Sequence, residues 1–164
     1  MLLKEALKDV NNTIMPPNLL TLENLLDINE QIKIRASNDG QIEYTGSGDY
    51  PIKIYQLEKL IEYTPENRTI VDVAAYYLKN IILLQAFPDA NHRTALTAIE
   101  IFLEKNGYSL DYSAVEAYQF QKELYKRRLH EYGTYEEGPI SVLKEEDNHV
   151  FSLCFKFIKD HIEK

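Results

Sequence analysis

Between Val71 and Ala86 the apolar residues Val71, Val73, Ala74, Ala75, Leu78, Ile81, Ile82 and Leu84 fall on every side of a helical wheel. A helix without a polar face belongs at the centre of a domain or inside a membrane. Asp72, Lys79, Asn80 and Gln85 interrupt the stretch, so it falls short of the ~20 apolar residues of a membrane span. The constraint that follows is a buried central helix with other helices packed around it.

The rest of the chain supplies those helices. Leu2 to Val10 reads as a helix ended by Asn11-Asn12 and Pro16-Pro17, and a second starts near Thr21 with Leu22, Leu25, Leu26 and Ile28 on one side. Ile54 to Tyr63 is a third. Thr64 and Thr69 compete as the N-cap of the central helix. Another begins near Asn91, carries Ala95, Leu96, Ala98, Ile99, Phe102 and Leu103 at helical spacing, and stops at Asn106-Gly107. Ser113 to Tyr132 is amphipathic with a basic end, Lys126-Arg127-Arg128, read as a solvated face or, alternatively, a phosphate contact. The last helix is expected over Ser141 to His161, with Val150, Phe151, Cys154, Phe155, Phe157 and Ile158 inward and Cys154 as a small core hydrophobe.

From Ile32 to Tyr50 the period changes. Ile32, Ile34 and Ala36 alternate with polar residues, Asn38-Asp39-Gly40 offers turn chemistry, and Ile42 and Tyr44 alternate again. This predicts a β-hairpin over residues 32–50, or a surface loop with extended character. The expected fold is therefore all-α with a small β-hairpin flap, in a single domain spanning residues 1–164.

Composition narrows the function. With 18 Lys+Arg against 26 Asp+Glu, the net charge of −8 disfavours direct nucleic-acid binding by bulk charge. A single cysteine excludes an internal disulfide, and the charged Lys4-Glu5 stands where a signal peptide needs its apolar core. A cytoplasmic protein without membrane partners is the expectation.

The chemistry lies in Gln85-Ala86-Phe87-Pro88-Asp89-Ala90-Asn91-His92-Arg93, a tight loop feeding a helix N-terminus. Such an end presents unpaired N–H groups and partial positive charge. Asn91 adds an amide donor and Arg93 a charged fork suited to phosphate. Asp89 is a carboxylate of the kind Mg²⁺ takes beside phosphates. The plainer alternative makes Asp89 and Asn91 capping residues and Arg93 a surface charge.

These residues resemble the signature of the Fic/Doc (Fido) family, HxFx(D/E)(G/A)N(G/K)R, and most closely its Doc (death-on-curing) form HxFxDANKRTAL. Phe87, Asp89, Ala90, Asn91, Arg93, Thr94, Ala95 and Leu96 match it. Similarity continues in Ala74-Ala75-Tyr76-Tyr77-Leu78 and in Phe102-Leu103 through Asn106-Gly107-Tyr108, so that it spans Leu19 to Leu110. The resemblance implies a Fido-type helical bundle with a hairpin flap that docks the target. It implies Mg²⁺ on Asp89, nucleotide phosphates (ATP or a related nucleotide) on Asn91, His92 and Arg93, and Phe87 as core anchor of the loop. The reaction it implies is phosphorylation of, or AMP transfer to, a hydroxyl of a protein target. Family precedent for the target is elongation factor Tu, with a separate antitoxin protein as inhibitor.

The sequence departs from the pattern at two positions. Gln85 replaces the motif histidine, the general base, and an amide cannot accept a proton near pH 7. His92 stands where the family has Gly or Lys, either as a weak stand-in for Lys or as an exposed loop side chain. Leu96 occupies the place of a second arginine found in AMP-transferring members. Their inhibitory (S/T)xxxE(G/N) motif is absent, since Thr134 misses the spacing to Glu137-Gly138. The resemblance thus implies a toxin-type transferase with impaired catalysis, or a catalytically inactive Fido module that binds nucleotide or a partner.

Overall fold

Thr21, Thr69 and Ser113 each turn a side-chain oxygen onto the backbone N–H three residues ahead, and each starts a helix. In the computed structural model, which describes residues 18–40, 44, 51–134, 136–145 and 149–164, these and three further helices make up nearly all the regular structure. They are α1 (Leu22–Asn38), α2 (Ile54–Glu62), α3 (Ile70–Leu84), α4 (Asn91–Lys105), α5 (Ala114–Tyr132) and α6 (His149–His161). A 3₁₀ turn covers Ile140–Lys144. Strands β1 (Ser109–Leu110) and β2 (Ile162–Glu163) pair antiparallel, Ser109 opposite Glu163. The chain is thus mainly helical with a small two-stranded sheet. The helix expected over Leu2 to Val10 lies outside the described residues.

α3 is the central element. Every residue in it except Asp72 is buried, and it packs chiefly against α4 and α6. Thr69 wins the contest for its N-cap: Oγ1 accepts from Asp72 N–H at 3.2 Å and donates to the Asp72 carboxylate at 2.9 Å. Thr64 instead donates to the Ile61 carbonyl at the end of α2. Burial includes Lys79, whose Nζ donates to the carbonyls of Val142 (2.7 Å) and Glu145. A cation at the carbonyl end of the 3₁₀ turn is favourable. Those two carbonyls are ones that a continuous helix would use internally. Ile140–Lys144, expected as the start of the last helix, is this 3₁₀ turn, and α6 is described from His149. Cys154 is fully buried, and burial raises its thiol pKa, as a core hydrophobe's would be.

The expected hairpin needs correction in its first arm. Ile32 to Asn38 is helical, the second half of α1. Leu25, Ile28 and Ile32 form a buried stripe at i, i+3 and i+7, whereas Ile34 is 42% exposed. The alternation of Ile32, Ile34 and Ala36 was one edge of a helical face. The second arm lies outside the described residues except for Tyr44, whose hydroxyl donates to Asn29 Oδ1 at 3.1 Å. Among the described residues, no helix is long and apolar enough to cross a membrane.

Candidate functional site

α3 ends abruptly. Gln85 takes the left-handed conformation (φ 45°, ψ 49°), and Ala90 takes it again (φ 60°, ψ 29°) just before α4. Neither is glycine, so each carries a backbone cost of ~1–2 kcal/mol that the surroundings must offset. They do so with hydrogen bonds to the loop from other segments. Lys53 N–H donates to the Ala86 carbonyl (2.8 Å) and Gly138 N–H to that of Leu83 (2.7 Å). From α1, Asn29 Nδ2 donates to the Asp89 carbonyl and to Thr94 Oγ1, both at 3.0 Å. Within the loop, Asn91 Oδ1 accepts from Phe87 N–H (3.1 Å) and Nδ2 donates to the Phe87 carbonyl (2.9 Å). Asp89 Oδ1 accepts from Ala90 N–H at 2.6 Å. Phe87 itself is buried, as expected for an anchor.

The loop forms one wall of a pocket of about 440 Å³, within the size range of small-molecule sites. Gln85, Asp89, Asn91, His92 and Arg93 all line it, so five of the residues singled out in the sequence converge here. Ile82 lines it from the end of α3. The facing wall was not anticipated: Gln121, Leu124, Tyr125 and Arg128, spaced i, i+3, i+4 and i+7, come from one face of α5. That spacing was readable, but nothing local connected it to the loop.

Arg128 corrects the solvated-face reading of the basic triplet. It is 3% exposed, and its Nη2 donates to the Glu136 carbonyl at 2.5 Å. His92 is not an exposed loop side chain. Its ring lies 5.8 Å from that of Phe120, its Nε2 is buried with no hydrogen-bond partner, and burial depresses its pKa to about 4. It is neutral at pH 7 and brings no charge to a ligand.

The ionised side chains lining the pocket are therefore Arg93 and Arg128 against Asp89, a net positive site in a chain of net charge −8. α4 starts without a side-chain cap, because Ala90 stands at its N-cap. Among the described residues no three His, Cys, Asp or Glu side chains cluster as a metal centre. Asp89 alone fits a divalent cation only where the ligand supplies further oxygens, as phosphates do for Mg²⁺. Among the described residues His92 is the one imidazole lining the pocket, and Gln85 stands in its wall.

Residues 2–132 match the family of unknown function DUF8172, and the chain belongs to that family. No curated protein and no solved structure matches it.

Proposed function

We propose that this protein is a cytoplasmic Doc-like Fido module that binds ATP or a related nucleotide through its phosphates. The loop over residues 85–93 and Arg93 would take the phosphates, with Asp89 holding Mg²⁺ alongside them. The observation that carries this reading is the convergence of an uncapped helix start, a lone carboxylate and the Arg93 guanidinium in one pocket. Mg²⁺ would neutralise phosphate charge, which matters because phosphoryl transfer depends chiefly on positioning and electrostatics. The acceptor would be a hydroxyl of a protein target. Transfer would be slow, since Gln85 cannot take its proton. A separate antitoxin protein would be the natural inhibitor of such a module.

A second reading, binding without transfer, is favoured by one observation. The imidazole in the pocket wall, His92, is turned against Phe120 and held neutral, so it does not replace the missing base. Isothermal titration with ATP, with and without Mg²⁺, tests what the two readings share. Binding should weaken at least ~10-fold in Arg93→Ala, the loss of one charge-assisted contact, and Asp89→Ala should abolish the Mg²⁺ dependence. Absence of binding at millimolar ATP would overturn both.

A further inference from the structure

Among the described residues, Arg128 is a buried guanidinium without a counterion. Among the described residues its one hydrogen bond runs to a neutral carbonyl, that of Glu136, and no carboxylate lies within ion-pair distance. Guanidinium stays charged in proteins, and charges this buried are normally paired. Four of its five donors are left for something other than Glu136, and the side chain lines the pocket opposite the loop. Arg93 approaches from the other wall, on α4. The pocket is larger than one phosphate requires, and its two guanidinium groups come from different helices, α4 and α5.

Resting on the phosphate-site reading above, we propose that Arg128 binds a second anionic group of the ligand. The site then selects polyphosphate chains, as in a nucleoside di- or triphosphate, over a single phosphate. Arg93 takes the end of the chain at the loop, and Arg128 takes the end at α5. The Glu136 carbonyl positions the guanidinium for it. Arg128 contributes little to a monophosphate, which the loop and Arg93 already satisfy.

The experiment is a titration of inorganic phosphate, pyrophosphate and tripolyphosphate into the wild type, R128Q and R128K, with melting curves for each. The wild type should hold tripolyphosphate roughly 10- to 100-fold more tightly than phosphate, the worth of one charge-assisted contact. R128Q should lose that preference while its phosphate affinity changes by less than about threefold. R128K keeps the charge but not the fork, so its preference should fall between the two. Should R128Q fail to fold, R128K carries the test. A preference unchanged in a folded R128Q, or in R128K where R128Q does not fold, would make Arg128 a brace for the segment around Glu136 and overturn this inference alone. Failure of all three anions to bind the wild type at millimolar concentration would overturn the phosphate site and this inference with it.

Discussion

Asn91 grips Phe87 by both backbone groups, accepting its N–H at 3.1 Å and donating to its carbonyl at 2.9 Å. The amide that the family resemblance assigns to phosphate is thus engaged in shaping the loop, and any effect on a ligand would come through that shape. Asn91→Ala removes two part-buried hydrogen bonds and should lower stability by about 1–3 kcal/mol in urea unfolding. Nucleotide affinity should fall with it although no charge is lost. Unchanged stability would show that the loop holds its form without this clasp.

Asn29 ties three segments together. It is 2% exposed, donates to the Asp89 carbonyl and Thr94 Oγ1, and accepts from Tyr44. Asn29→Asp turns a donor into an acceptor facing the Asp89 carbonyl, and should be more damaging than Asn29→Ala. We expect a loss of about 2–3 kcal/mol, the cost of stranded buried polar groups. Chemical denaturation of both variants checks the order. An Asn29→Asp protein as stable as wild type would contradict the network.

Gln85 sits at φ 45°, a region that histidine tolerates better than most residues. Gln85→His should therefore fold normally. If the rest of the site is competent, it should raise transfer to a hydroxyl acceptor by about 10²–10⁴, the usual worth of a positioned base. Nucleotide affinity should barely move. Strong transfer by the wild type would mean that Gln85 is not where a base is lacking.

Two histidines give stability opposite pH dependences. Burial holds His92 down to a pKa of about 4, so between pH 6.5 and 4 the unfolded chain binds a proton that the folded chain refuses. Stability should decline by up to ~3 kcal/mol as pH falls through that window. For His161, burial alone would lower the pKa, but hydrogen bonds to the Phe157 carbonyl and to Glu116, both 2.6 Å, outweigh it and raise it. Its contribution is complete below pH 6.5 and is lost as pH rises through the raised value. Glu116 is pulled down to about 2 by the Ser113 backbone N–H and then by His161, so its contribution holds above pH 4.5 and is lost towards pH 2. Melting temperatures across pH 4–9 should show His92→Leu flattening the acid limb and His161→Gln flattening the basic one. An unaltered acid limb in His92→Leu would refute the buried-neutral assignment.

The elements that local pattern decides were legible in the sequence. α3 had to be central because it lacks a polar face, and α4 had to stop where Asn106 and Gly107 (φ 85°) end it. Most of the pocket's loop wall was legible as well. What long-range contacts decide was not. Asn29 meets Asp89 across 60 positions, Lys79 meets Val142 across 63, and neither residue is distinctive in its own segment. Arg128 looked like its solvated neighbours Lys126 and Arg127, and only tertiary packing separates it from them. The misread arm at Ile32 to Ala36 failed for a related reason. A short alternating run is compatible with either period, and the stripe from Leu25 through Ile28 decides it.

Whether the pocket between the loop and α5 binds nucleotide phosphates can be read from amide and guanidinium NMR shifts on titrating ATP·Mg²⁺ into the ¹⁵N-labelled protein. Saturable shifts should concentrate at the backbone amides of Ala90 to Arg93 and at Arg93 and Arg128 Nε, with Cys154 and its neighbours on α6 still. Shifts absent at millimolar ATP·Mg²⁺, or clustered away from these residues, would contradict such binding.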